Sequence, residues 1–356
     1  MFGITQASGN KGFVRYLKNT SWMMAERLLR IISGLLVGLW IARFLGPEQF
    51  GILSYVLAFA ALFGGISKLG LDGIVVRSLV NYPDKHASYL GTAFWLKICG
   101  SLGAMALMLA ILPFTSNDAR TNVFILIIAA GMVFQSFEVV DFYFQSQVRA
   151  RTVSICKATQ LAISSCAKIY MVISSAELLY FVVIVFFDCF VLALCYVLAF
   201  KHSNNRMFYA HFDLGTAREL LRASWPLMFS AIVVTVYMKI DQIMVKEILG
   251  EYEVGIYSAA VKLSEVFYFL PVIVCSSLFP AIIEAKQRGD KIYLERLEKL
   301  YKLMFWLALA IALPMSIAGE DLVVMLFGEE FAEAGPVFAI HIWASIFVLK
   351  SLKNYI

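Results

Sequence analysis

Charged side chains that stand inside long apolar segments are the residues of this chain that could do chemistry. Each such charge costs on the order of 3 kcal/mol at the centre of a membrane, so it must face protein or water. Twelve of them therefore predict a hydrated interior or internal ion pairs. They are the cations Arg27, Arg30, Lys97, Lys168, Lys239 and Lys262 and the acids Glu26, Glu138, Asp141, Asp188, Asp241 and Glu265.

Arg27 and Arg30 are the first candidates for a binding site. They are three residues apart in one apolar segment, so they share a helix face. A guanidinium stays charged and forks onto phosphate oxygens, so this face predicts a cationic patch that attracts an anion such as a phosphate. Two alternatives stay open: the arginines extend to the membrane surface, or they pair with Glu26.

Lys239, Lys262 and the internal acids form a second set of candidates. Lys239 and Lys262 could line the same cavity from the other half of the chain, although Lys262 could equally pair with Glu265 three residues later. Asp241 has a short side chain that cannot reach far, which suits an ion-coupling carboxylate.

Glu138 and Asp141 are also three residues apart. They could form a proton or cation site, or they could pair with Lys97 on the neighbouring helix. Lys168 and Asp188 lie on adjacent predicted helices, and their spacing predicts a structural ion pair.

Composition places these charges in a membrane protein. Of the 356 residues, 61% are hydrophobic and 15% are charged, and the mean hydropathy is +0.78. Soluble domains carry about 25% charged residues. The chain is predicted to be an all-α polytopic membrane protein, because spans of about 20 apolar residues cross a bilayer. Ten spans are predicted, at 20–43, 51–71, 89–112, 122–145, 155–175, 178–200, 223–246, 255–282, 301–318 and 335–352.

A repeat divides the chain into two halves. Leu45-Gly46 and Gly51-Ile52 return about 204 residues later as Leu249-Gly250 and Gly255-Ile256. A repeated helix-turn-helix that carries charges is typical of a two-lobed transporter. The predicted lobes are residues 1–210, with six transmembrane helices, and 211–356, with about four.

Lysines and arginines predict the orientation. With the N-terminus in the cytoplasm, the cytoplasmic helix ends hold 21 of them, whereas the opposite face holds only Arg43, Arg120 and Lys246. Cytoplasmic loops carry the excess of Lys and Arg, so a cytoplasmic N-terminus is predicted.

Enzyme chemistry is not indicated. The sequence contains no GxxxxGK[ST], HExxH or GxSxG motif, and its six cysteines show no CxxC spacing. Every predicted loop is short, so no loop could fold as a catalytic domain. The expectation is a protein that is not an enzyme, has no metal or cofactor and binds no nucleic acid.

A family resemblance rests on the turn after the first helix. The segment Ala42–Gly51 reads ARFLGPEQFG and follows a helix that starts with NTSW at residues 19–22. This pattern resembles the polysaccharide biosynthesis flippases, the O-antigen translocases of the multidrug/oligosaccharidyl-lipid/polysaccharide exporter superfamily. The resemblance covers essentially the whole chain, although only the first-helix motif is specific.

The resemblance implies a fold and a task. The fold would be two pseudo-symmetric helical lobes like those of MATE transporters, with the second lobe truncated relative to the family. The task would be to move oligosaccharide repeat units linked to undecaprenyl diphosphate across the bacterial inner membrane, from the cytoplasmic to the periplasmic leaflet, for O-antigen (lipopolysaccharide) or capsule assembly. Other membrane proteins of polysaccharide assembly would be possible partners.

The resemblance also bears on the site residues. Arg27 and Arg30 match the place where the family has cavity cations, Lys239 is a weaker match, and Arg77 and Lys262 are weaker still. Two other functions stay open. A multidrug exporter of the same superfamily would have a cavity dominated by acids, and a membrane enzyme such as an O-antigen polymerase would have a large, arginine-bearing outer loop.

The predicted orientation can be tested with reporter insertions. Green fluorescent protein inserted after Arg206 should fluoresce, and alkaline phosphatase inserted after Glu320 should be active, because the first loop is predicted to be cytoplasmic and the second external. Exchanging the two reporters provides the control, since both signals should then vanish. If the signals appeared only after the exchange, the orientation would be the opposite of the predicted one.

Overall fold

The computed structural model describes residues 9–203, 209–267, 274, 278, 282, 284–286 and 288–344, with backbone alone for residues 9–18. Over these ranges the chain forms helices and no strands. The helices are α1 (Gly9–Leu62), α2 (Gly64–Lys68), α3 (Asp72–Asn81), α4 (His86–Ile111), α5 (Ala119–Met132), α6 (Val139–Ser146), α7 (Ala150–Ile173), α8 (Leu178–Ser203), α9 (Leu214–Leu249), α10 (Glu251–Val266), α11 (Asp290–Ile317), α12 (Gly319–Phe327) and α13 (Ala334–His341).

Six helical stretches in the described ranges are long and apolar enough to cross a membrane. They are Asn19–Leu62, Pro83–Phe114, Ala119–Ser146, Leu178–Ser203, Leu214–Leu249 and Asp290–Ile317. The all-α polytopic membrane fold predicted from composition is thus confirmed. The predicted span 155–175 is helical as α7, but its charged and polar residues lower its hydropathy. The predicted spans 255–282 and 335–352 lie partly outside the described residues.

The chain divides into two compact units. Unit 1 comprises the described parts of Met1–Val37 and Ile52–Ile248, and unit 2 those of Gly38–Gly51 and Leu249–Ile356. The predicted lobes 1–210 and 211–356 remain a prediction, because a compact unit need not coincide with a sequence repeat. In this division α9, whose sequence echoes α1, belongs to unit 1.

An aromatic core holds unit 1 together. Buried residues of α3, α4, α6 and α8 form one apolar cluster that includes Phe94, Phe142 and Tyr196. The rings of Phe94 and Phe137 lie edge to face with their centroids 5.1 Å apart, a favoured aromatic geometry. This core fixes the helices that carry the internal charges.

A glycine turn is repeated in the backbone as well as in the sequence. In α1 the chain leaves helical geometry at Gly46, with φ 70° and ψ 172°, so two helices meet there. Gly250, 204 residues later, has φ 108° and ψ −173°. Gly328 adopts φ 99° and ψ 169°, a third turn of this kind that the sequence comparison did not find. Glycine is favoured at such angles because it has no Cβ.

The two copies of the repeated turn meet inside unit 2. A Cβ added to Gly51 would stand 1.9 Å from the carbonyl oxygen of Glu251, and one added to Gly255 would stand 1.9 Å from that of Pro47. Gly51 and Gly255 are equivalent positions in the two repeats. Each glycine faces the carbonyl group of the residue four positions before the other glycine. The contact is therefore reciprocal, as expected for two repeats related by a local pseudo-two-fold axis.

The C-terminal end of α9 is fixed to the rest of unit 1 by a polar cluster. The Lys246 ammonium donates to Asn117 Oδ1 at 2.5 Å and lies 4.7 Å from the centroid of the Tyr55 ring. The Glu247 carboxylate accepts hydrogen bonds from the Tyr55 hydroxyl at 3.0 Å and from the Ser116 hydroxyl. These contacts explain why α9 belongs to unit 1.

The reciprocal glycine contact predicts a large cost for one methyl group. Gly51→Ala and Gly255→Ala should each lower the free energy of unfolding by about 1–3 kcal/mol or more, because the backbones must move apart. The midpoint of thermal unfolding in detergent measures this effect. Gly103→Ala is the matched control, since a Cβ there meets nothing within 4 Å and alanine favours a helix. Unfolding midpoints that matched the control would contradict the close contact.

Candidate functional site

Unit 1 contains a polar cavity of about 220 Å³. Residues from α1, α7, α8 and the 3-10 turn Val133–Glu138 surround it. The lining side chains are Arg30, Phe134, Gln135, Glu138, Gln160, Asp188, Cys189, Leu192, Ala193 and Tyr196. Two of the sequence-predicted site residues, Arg30 and Glu138, are therefore brought to one cavity.

Arg30 contributes the guanidinium of this cavity. Its Nε donates to Glu26 Oε1 at 2.8 Å, and Nη2 approaches the same oxygen. The two residues are four apart on α1, the spacing at which side chains on a helix meet. The pairing with Glu26 that the sequence left open is thus present. Because the Arg30 side chain is still 46% exposed, its guanidinium remains accessible.

Glu138 forms an ion pair with Lys97, a buried lysine of α4. The Lys97 ammonium, on a side chain only 1% exposed, lies 2.9 Å from Glu138 Oε2 and 3.5 Å from Asp72 Oδ1. It also stands 4.9 Å from the centroid of the Phe142 ring. The pair between Glu138 and Lys97, one of the two sequence-based alternatives, is therefore present in the structure.

Asp141, the next carboxylate along the chain, has its own cation. Lys157 Nζ lies 2.8 Å from Asp141 Oδ2, Gln145 donates to Oδ1 at 2.8 Å, and the Tyr196 hydroxyl donates at 3.3 Å. This pair was not predicted, because Lys157 lies near the start of the predicted span 155–175 and was counted among the cations at cytoplasmic helix ends. A long lysine side chain near a helix end can reach inward, and the sequence does not show in which direction it points.

The fourth internal acid of unit 1 forms the structural pair that its position predicts. Asp188 Oδ2 lies 2.9 Å from Lys168 Nζ, and Lys168 also donates to Ser164 Oγ at 2.7 Å. This pair joins α7 to α8 beside the cavity. Asp188 thus presents a neutralised carboxylate to the cavity rather than a free negative charge.

One polar atom at the cavity has no hydrogen-bond partner among the residues that the structure describes. The side-chain oxygen of Gln135 is buried and accepts no hydrogen bond from any described residue. A buried acceptor without a donor costs about 1–3 kcal/mol. A hydroxyl group or a water molecule in the cavity would satisfy it.

Five further predicted site residues do not line this cavity. Arg27 and Arg77 are exposed, whereas Lys239 and Asp241 are half-buried on α9 in unit 1. Lys262 belongs to unit 2, where its ammonium occupies the space of the missing Gly38 side chain and lies 5.4 Å from the centroid of the Phe50 ring. The cavity of unit 1 therefore contains Arg30 and not the other predicted cations.

Among the described residues that line it, the cavity has groups that can bind a ligand and no nucleophile hydrogen-bonded to a base. Its acids each have a lysine and its arginine has a glutamate, so its charges are balanced. The available groups are a half-exposed guanidinium, glutamine amides and a tyrosine hydroxyl. These groups suit a ligand that is rich in oxygen atoms.

Comparison with solved structures gives the class of protein. A multidrug resistance MATE family transporter of the MOP superfamily, solved in an inward-facing conformation, matches with a TM-score of 0.66 over 90% of this chain and 78% of that one, at 13% identity. A MOP superfamily transporter from Pyrococcus furiosus matches with a TM-score of 0.50 over 95% and 81%, at 15% identity. This chain has the fold of a MATE transporter.

Sequence comparison gives the family. The family model for polysaccharide biosynthesis proteins matches residues 16–286, so this chain belongs to the polysaccharide biosynthesis protein family. The capsular polysaccharide biosynthesis protein CapF of Staphylococcus aureus is 22% identical over 346 residues, which are 94% of this chain and 83% of CapF. The resemblance drawn from the first-helix motif is confirmed.

The Lys97–Glu138 pair predicts a strong and reversible effect on stability. Lys97→Met should lower the free energy of unfolding by about 3–5 kcal/mol, because Glu138 loses its nearest cation and keeps only Lys68 at 4.0 Å. Adding Glu138→Gln should restore most of the loss, since the uncompensated charge is then gone. Thermal unfolding of the purified variants in detergent measures both effects. A double variant that is less stable than Lys97→Met would contradict this explanation.

Proposed function

We propose that this protein translocates oligosaccharide repeat units linked to undecaprenyl diphosphate across the bacterial inner membrane, from the cytoplasmic to the periplasmic leaflet, for O-antigen or capsule assembly. The membership in the polysaccharide biosynthesis protein family carries the proposal. The similarity to CapF supports a surface polysaccharide as the end product. Arg30 at the polar cavity supports a phosphate-bearing substrate.

A diphosphate needs a cation at membrane depth, because an unpaired charge there is costly. Arg30 suits this task since its partner Glu26 lies on the same helix. A phosphate can replace Glu26 at the guanidinium without separating two helices. The lysines cannot be used in this way, because Lys97 and Lys168 each join different helical elements of unit 1.

The remaining groups of the cavity suit the sugar. The Gln135 oxygen without a donor would accept a hydrogen bond from a sugar hydroxyl, and Gln160 and Tyr196 are further polar groups of the lining. A cavity of about 220 Å³ accommodates one or two sugar-sized groups rather than a whole repeat unit. We assign it the part of the substrate next to the diphosphate.

Glu138, Asp141 and Asp241 are the proposed ion-coupling residues. Glu138 and Asp141 each face a lysine of another helical element, so protonating either acid would release that lysine and loosen the contact between the elements. Such a change links a proton to a movement of helices. Alternating access of the lobes 1–210 and 211–356, with a cytoplasmic N-terminus, completes the proposed transport cycle.

The fold favours one second candidate, a cation-coupled multidrug exporter, since solved MATE transporters share it. Such an exporter would be expected to have a cavity dominated by acids. Here every acid that lines the described cavity has a lysine partner, and the cavity includes Arg30. We therefore favour the lipid-linked oligosaccharide over a cationic drug.

The role of Arg30 can be tested in a host from which the gene has been deleted. The wild type should restore surface polysaccharide, whereas Arg30→Ala at equal membrane abundance should reduce it at least tenfold, because the diphosphate loses its guanidinium. Polysaccharide extracted from the cell surface is compared by gel electrophoresis.

Arg288→Ala is the matched control for this experiment. Arg288 is also paired with a glutamate four residues away, Glu284 at 2.6 Å, but it does not line the cavity. It should restore the polysaccharide fully. Equal restoration by Arg30→Ala would remove Arg30 from the substrate site, and failure of the wild type would exclude the proposed function.

A further inference from the structure

A second, open groove of about 370 Å³ lies at the start of α9 in unit 1. It is lined by Gly215, Arg218, Glu219, Arg222 and Ala223. Arg218 and Arg222 are exposed and four residues apart, so their side chains leave the same face of the helix about 6 Å apart. The groove therefore presents two guanidinium groups side by side.

Glu219, which lies between these arginines in the sequence, is hydrogen-bonded to a residue of another helix. The Glu219 carboxylate accepts hydrogen bonds from the buried Tyr89 hydroxyl at 3.1 Å and 3.2 Å. Neither arginine forms an ion pair with a described residue. Tyr89 thus holds the Glu219 carboxylate away from the two guanidiniums, which leaves both of them without an ion pair among the described residues.

The start of α9 is fixed in place. Asp213 accepts hydrogen bonds from the backbone N–H of Thr216 at 2.7 Å and from its hydroxyl at 2.6 Å, and its own N–H donates to Thr92 at 3.0 Å. The bonds from Thr216 hold the pKa of the Asp213 carboxyl below its usual value. The cap therefore persists at neutral and mildly acidic pH, and the groove is preformed.

The groove stands at the edge of an apolar surface. Leu221 and Trp225, each three residues after one of the arginines, are 39% and 56% exposed. Helix α9 is long and apolar enough to cross a membrane. A headgroup bound by the arginines would have its lipid chain beside these side chains. Two exposed arginines next to exposed Leu and Trp favour a ligand that is both anionic and lipidic.

We propose that the Arg218–Arg222 groove is a docking site for the diphosphate headgroup of a polyprenyl lipid. The proposal rests on the proposed function and names a second place where the same substrate is bound. Charge selects this lipid: two neighbouring guanidiniums match a diphosphate headgroup, which carries two negative charges as a diester and more as a monoester, whereas phosphatidylglycerol carries one. The open groove would receive the headgroup before the narrower cavity at Arg30.

Binding of undecaprenyl diphosphate to the full chain in phosphatidylcholine nanodiscs tests the proposal. Arg218→Gln and Arg222→Gln should each weaken binding about tenfold, since a hydrogen bond to a charged group contributes about 1.5–3 kcal/mol. Arg296→Gln is the control, because Arg296 is an exposed arginine on α11 and its loss should change nothing. Phosphatidylglycerol as the probe should bind at least tenfold more weakly.

Tyr89→Phe tests the groove without removing either arginine, so the number of charged residues stays the same. It frees Glu219 to pair with the arginines, so binding of undecaprenyl diphosphate should weaken although both arginines remain. The double variant Tyr89→Phe/Glu219→Gln should bind at least as well as the wild type. Weak binding by that double variant would overturn the role given to Tyr89 and Glu219.

The remaining outcomes separate the groove from the proposed function. Unchanged binding by both arginine variants, or equal binding of phosphatidylglycerol, would overturn the groove proposal alone, and the result for Arg30 in cells would still stand. Binding that depends on Arg218 and Arg222 in a protein that restores no polysaccharide would support the groove and reject the proposed function. Absence of binding by the wild type would overturn the groove proposal directly.

Discussion

The buried ammonium of Lys97 is the charge on which the arrangement of unit 1 depends. It is almost completely enclosed, and Glu138, Asp72 and the Phe142 ring surround it. In a low-dielectric interior such a cation is tolerated only with its partners in place. Its partners come from three helical elements other than its own, so a single side chain fixes how these elements pack.

Two other internal ion pairs of unit 1 also join different helical elements. Asp141 with Lys157 and Asp188 with Lys168 join further helical elements, and each pair satisfies charges that would otherwise oppose insertion into a membrane. Arg30 differs from these residues, because its partner lies on its own helix. A pair within one helix can be exchanged for a ligand without disturbing the packing, whereas a pair between helices cannot.

Arg30 and the Arg218–Arg222 groove show two ways of keeping a guanidinium available. At Arg30 the neighbouring acid is a local partner that a phosphate can replace. At the groove the neighbouring acid, Glu219, is already engaged by Tyr89. Both arrangements avoid a permanent ion pair between helices, and both suit a phosphate-bearing lipid better than a cationic drug.

The amino-acid sequence by itself determined the class of protein. Its apolar spans set the helices, because the backbone must satisfy its own hydrogen bonds in a membrane. The repeated glycines set the turns, because only glycine readily takes the angles seen at Gly46 and Gly250. It also indicated the pairs Lys97–Glu138 and Lys168–Asp188, since internal charges of opposite sign on adjacent helices have few other partners.

Only the tertiary structure decided which groups share a site. The reciprocal contact of Gly51 with Gly255, the pair of Asp141 with Lys157 and the engagement of Glu219 by Tyr89 join residues from 16 to 204 positions apart. Helical periodicity orients a side chain on its own helix but not relative to a distant one. Such contacts depend on how the helices pack, and no local pattern in the sequence records that.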